Sequence, residues 1–159
     1  MKPEARPEFR LGEVRALAGR RIAGIAMRYG AVAPCLAERF LPGAFGDVPD
    51  RIGLNLQHDG NLVVGQAELL DDELALRVEA DVAEAVHSLV ARGALSGLSI
   101  EFLPRAERKD GAIRVIEKAD LAGLAVVDKA AYPTATVEAR ARLDVPDRQV
   151  LFRALSGLV

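Results

Sequence analysis

Short apolar runs, broken at close intervals by turn-forming residues, recur along almost the whole chain, and only one segment before the tail carries helical periodicity over several turns. A chain of 159 residues so divided can bury a core only by pairing its short segments edge to edge. The runs are 21–29, 52–57, 62–70, 73–80, the stretch around Ser99, 112–117, 121–127 and 135–142. Asp71-Asp72 joins two of them into a β-hairpin, and Asp59-Gly60 marks another turn. Gly24 inside the first run suggests a bulge. The count is about eight strands with one clear helix, which predicts an α+β domain, mostly β and barrel-like.

The single helical pattern leads directly into the most informative stretch. Asp81 stands at a helix start with Glu84 in capping-box spacing, Val82, Val86, Leu89 and Val90 form the apolar stripe, and Gly93 ends it. Within three residues the period changes from helical to two. Leu98, Ile100 and Phe102 then point one way and Ser99 the other, with Glu101 on the face of Ser99. A lone hydroxyl fixed on rigid backbone opposite an apolar face is a candidate nucleophile, although small core serines share this pattern.

The remaining segments are read more simply. Residues 1–12, with Pro3 and Pro7, are expected to form a flexible arm, 13–143 the barrel domain and 144–159 a tail. In that tail Val150, Leu151, Ala154, Leu155 and Leu158 fall at helical spacing, fit to cap the barrel or to meet a second subunit. Leu36–Phe40 reads as one helical turn, and Pro104 with the charged residues 105–110 as a turn.

Composition removes several classes of function. Net charge is -2 with acids and bases interspersed, so no basic surface for nucleic acid is expected. One cysteine, Cys35, allows no internal disulfide and no paired-cysteine zinc site. The N-terminal residues lack an apolar signal core, and no apolar run reaches membrane-spanning length, so a soluble cytoplasmic protein is expected. No phosphate loop, dinucleotide fingerprint or metal-binding helix motif occurs, and no cofactor is expected.

Four serines and two histidines leave a short list of catalytic candidates. His58 closes an apolar strand before Asp59-Gly60, where an imidazole can act as a general base near neutral pH, although a histidine there is often plain turn punctuation. His87 sits off the apolar stripe and reads as a solvated helix residue. Gly97-x-Ser99-x-Glu101 lacks the second glycine and the strand-to-helix turn of a nucleophile elbow. Three acids, Glu101, Glu117 and Asp120, are available to orient a histidine.

Taken in order, several segments resemble the prohead proteases of tailed phages, serine proteases that mature capsids and share a fold with herpesvirus assemblin. Residues 21–26 resemble the family's opening strand, and Phe40-Leu-Pro-Gly-Ala-Phe45 its "F-x-P-G-A-F" element. Leu56-Gln-His-Asp59 with Val64-Gly65 is similar to "N-H-D … I-G", and residues 95–102 to "S-G-L-S-I-G-F". Residues 121–127 with Ala131-Tyr-Pro133 are similar to "L-x-E-V-S-L-V … P-A-x-P". The resemblance implies a closed or partly open antiparallel β-barrel with a few flanking helices. It also implies Ser99 as nucleophile, His58 as general base, homodimerisation, and major capsid and scaffold proteins as substrates.

The sequence departs from the family at three positions. Glu101 replaces a family glycine, Gly123 replaces the family's usual third catalytic glutamate, and Gln57 replaces a common asparagine. The first two departures read as one exchange between neighbouring strands, which makes Glu101 the candidate third member. The alternative is a bare Ser99–His58 dyad. A protease-fold protein that has lost activity and serves as a scaffold is the rival function, and a small-ligand barrel explains the core but not the ordered motifs.

Overall fold

The structure is a computed structural model, and it describes residues 6–33 and 36–128. The elements run β1 (Glu8–Ala16), β2 (Arg21–Arg28), β3 (Glu38–Phe40), β4 (Arg51–Leu56), β5 (Asp59–Asp71), β6 (Ala75–Val82), α1 (Glu84–Ala91), β7 (Gly97–Asp110) and β8 (Ile113–Val127). Seven strands close into a barrel in the order β8-β4-β5-β6-β2-β1-β7, with β7 returning to β8. The expected mostly-β α+β barrel is therefore present. Most pairings are antiparallel, but β8 pairs in parallel with both β4 and β3, and β3 lies outside the ring. Inside the barrel pack Ile22, Leu54, Leu56, Leu76, Val78, Leu98, Ile100, Phe102, Leu124 and Val126, all fully or nearly fully buried. Among the described residues no helix is long and apolar enough to cross a membrane.

Several segments differ from expectation, and buried or cross-strand charge explains most of them. Residues 8–12, expected within a loose arm, belong to β1. Their charges are consumed in a buried network: Arg10 Nη2 donates to Glu38 Oε2 at 2.7 Å, and Arg114 Nη1 donates to Glu8 Oε2 at 2.8 Å and to Glu38 Oε2 at 3.0 Å. The same network turns part of Leu36–Phe40 into β3 rather than a helical turn, because Glu38 must face Arg10 and Arg114. Residues 105–110 are not a turn, since β7 runs on to Asp110. Their charges pair across the hairpin, Arg105 Nε with Asp120 at 2.5 Å and Arg108 Nε with Glu117 at 2.9 Å. Register shifts beside Pro104 absorb the missing N–H, and the real turn lies at Gly111 with φ +59°. Residues 112–117 and 121–127 accordingly merge into β8.

Asp81 and Val82 belong to β6, so Asp81 does not cap α1. The N-cap is Ala83, with no side-chain cap bond. The C-terminal end follows expectation: Gly93 takes φ +77°, its N–H donates to Val90 O at 3.0 Å, and Ala94 N–H donates to Leu89 O at 2.9 Å. That reciprocal pair is a Schellman cap. In β2 the irregularity lies between Ile25 and Met27, not at Gly24, whose missing Cβ instead leaves room for the Glu13 carbonyl. The predicted strand 135–142 and the tail pattern lie outside the described residues.

Candidate active site

Strand register sets the site. Leu11 of β1, Ser99 of β7, Ala125 of β8 and Asn55 of β4 lie in one row across four strands. The next row holds Phe9, Glu101 and Gly123. Directly paired residues share a face, and Leu98, Ile100 and Phe102 fill the barrel interior. Ser99 and Glu101 therefore stand on the outer face, as the period of two predicts. Ser99 is 0% exposed, and its Oγ makes no hydrogen bond among the described residues. An acyl donor reaches that hydroxyl only if its surroundings move.

His58 arrives over this face from the β4–β5 connection. Leu56 pairs with Asp59, so Gln57 and His58 are the two central residues of the hairpin turn. Both have positive φ, +52° and +58°, as a type I′ turn requires. Such turns favour Asn-Gly, and a residue with a side chain in this region costs on the order of 1–3 kcal/mol. The expected turn at Asp59-Gly60 is displaced by two residues, because these two open β5. Gln57 is anchored to the end of β8: its N–H donates to Val126 O at 3.0 Å, and Asp128 N–H donates to its Oε1 at 3.3 Å.

His58 is 4% exposed. Its ring meets Phe9 edge-on with centroids 4.5 Å apart, and its Nδ1 lies 3.9 Å from Glu101 Oε2. That separation is too long for a direct hydrogen bond, but it places an anion beside the imidazole. The Glu101 side chain lies over Gly123: a Cβ at position 123 would stand 3.2 Å from Glu101 Oε2 and 3.5 Å from its Cβ. The absent side chain at 123 thus leaves the space that Glu101 fills.

The other candidates are placed elsewhere. Glu117 and Asp120 are paired with Arg108 and Arg105 on the exposed hairpin. His87 is not solvated as expected: its Nε2–H donates to Leu17 O at 2.7 Å and pins α1 to the β1–β2 connection. Among the described residues no group of three or more His, Cys, Asp or Glu is placed to hold a metal ion. Sequence reasoning missed Phe9 altogether. The strained turn had one signal, the glutamine standing where asparagine, which tolerates positive φ, is common in the family.

A hydroxyl, an imidazole and a carboxylate on one face of a closed barrel are parts from which a site for nucleophilic acyl transfer can be built. The sequence profile of the caudovirus prohead serine protease family matches residues 10–146, and the chain belongs to that family. Searches of curated proteins and of solved structures found no match.

Proposed function

We propose that this protein is a serine endopeptidase that cleaves major capsid and scaffold proteins, and itself, while a phage or phage-like prohead matures in the host cytoplasm. Homodimerisation is part of this reading and rests on the family resemblance. His58 takes the proton of Ser99 Oγ, and the oxygen attacks the scissile carbonyl to give a tetrahedral intermediate. His58 then hands that proton to the leaving amine as the C–N bond breaks, leaving an acyl-enzyme. Water, deprotonated by His58, releases the acyl group and restores the hydroxyl. Glu101 stabilises the imidazolium formed at each attack. The observation that carries the proposal is the fully buried Ser99 hydroxyl, without a hydrogen bond among the described residues, on the face where Glu101 meets His58. Such a group costs stability and is retained where chemistry needs it.

The complete burial of Ser99 favours one second reading, a protease-fold scaffold without activity. A fluorophosphonate probe separates the two, applied to the protein alone and with coexpressed capsid protein. The peptidase labels at Ser99 under at least one condition, and the scaffold labels under neither. Ser99→Ala should abolish labelling and capsid processing while holding or raising stability by about 1 kcal/mol, measured by thermal denaturation. Processing by this variant would refute the assignment.

A further inference from the structure

The turn that carries His58 has positive φ at both of its central residues, +52° and +58°, and its first residue holds it in place. Gln57 is 4% exposed and adopts φ +52° with a full side chain. Its backbone N–H reaches Val126 near the end of β8, and its carboxamide reaches Asp128, the residue that follows the strand. The same strand end is hydrogen-bonded to the start of the nucleophile strand: Ser96 N–H donates to Val127 O at 3.0 Å, and Leu98 pairs with Val126. The end of β8 is thus a common mount for the turn that carries His58 and the strand that carries Ser99.

We infer that Gln57 is a positioning residue for catalysis: it ties the His58 turn to the end of β8 and so fixes the imidazole relative to Ser99. This rests on the assignment of His58 as base. Positive φ at Gln57 swings the next residue out of the strand direction and over the outer face. The carboxamide bond to Asp128 opposes relaxation of that strain. A glutamine reaches Asp128 where an asparagine, one methylene shorter, would not extend as far. The tether therefore gives a reason for glutamine in a turn position that favours asparagine.

Two variants separate positioning from a merely structural role. Gln57→Met keeps the volume and the strain but removes the carboxamide acceptor, so its Tm should fall. Gln57→Gly removes the tether and the strain together, so its Tm should stand above that of the Met variant. Ser99 labelling by fluorophosphonate is then timed at a temperature where all forms are fully folded. Both variants should label about ten-fold more slowly than wild type, whichever way Tm moves. The chain has two histidines, so the His58 imidazole resonances are assigned by comparison with His87→Gln. They should shift in both variants. Wild-type labelling rates, or unchanged His58 resonances, in both variants would overturn the inference. If wild type itself does not label, the peptidase reading fails, and the resonances alone decide whether Gln57 positions the ring.

Discussion

Replacing Glu101 by glutamine keeps its size and removes its charge, so it isolates the contact between that carboxylate and the His58 imidazole. At 3.9 Å an anion stabilises an imidazolium by about 4 kcal/mol at an effective dielectric of about 20. The Glu101 side chain is 22% exposed, and screening by water brings the figure to about 2 kcal/mol. With about 1.4 kcal/mol per factor of ten, Glu101→Gln should lower kcat by about 30-fold, rising towards about 10³-fold if the contact tightens in the transition state. Coexpression with capsid protein, followed by timed gel analysis, measures the loss. Wild-type kcat/KM should rise with pH through the range in which an imidazole loses its proton. In the variant that rise should move to lower pH, because the imidazolium has lost its anion. The doublet Glu101→Gly with Gly123→Glu brings a carboxylate to the same place from the opposite strand. It also removes the crowding that Gly123→Glu alone would meet at 3.2 Å, so it should recover part of the activity. A Glu101→Gln enzyme within two-fold of wild type, with an unmoved pH profile, refutes the role of Glu101 and leaves a Ser99–His58 dyad.

Phe9→Leu removes the edge-on ring against His58 from a fully buried site. It should cost about 1–1.5 kcal/mol in thermal denaturation and slow Ser99 labelling several-fold at temperatures where the protein is folded. Unchanged labelling would show that the ring merely fills space. The Glu8 carboxyl is pulled in two directions: burial pushes it up, but the hydrogen bonds and charges of Arg114 and Arg10 prevail and hold it below its ordinary value of 4.5. Its contribution to stability is therefore present above 4.5 and lost as pH falls through the folded-state value. Glu8→Gln should lower Tm at neutral pH and flatten the acid side of the Tm–pH curve, and an unchanged curve would remove Glu8 from the stabilising network.

The face of Ser99 was legible because a period of two leaves no choice once Leu98, Ile100 and Phe102 face the core. The proximity of positions 101 and 123 was legible from their exchange, and the register places them opposite one another. Charged segments misled. Arg10 and Glu38 look solvated in sequence, yet they are partners across 28 residues, and nothing local distinguishes a buried ion pair from two surface charges. Arg105 and Arg108 imitate a turn for the same reason, since their acids lie on the next strand. The His58 turn was misplaced because Asp59-Gly60 has ordinary turn chemistry, whereas Gln57 and His58, which take positive φ, are not residue types that signal such a turn.

The barrel closes where β7 meets both β1 and β8, and this has a consequence in time. Ser99 sits on the stave that joins the first described strand to the last. Phe9, which packs on His58, comes from one end of that span, and Gly123, which makes room for Glu101, from the other. A ribosome-bound chain that has not yet released Val127 has neither partner row for Ser99 complete. Pairings between such distant segments form slowly, on the order of milliseconds to seconds. Under the proposed function, a nascent copy therefore has no complete catalytic face until its ring is shut.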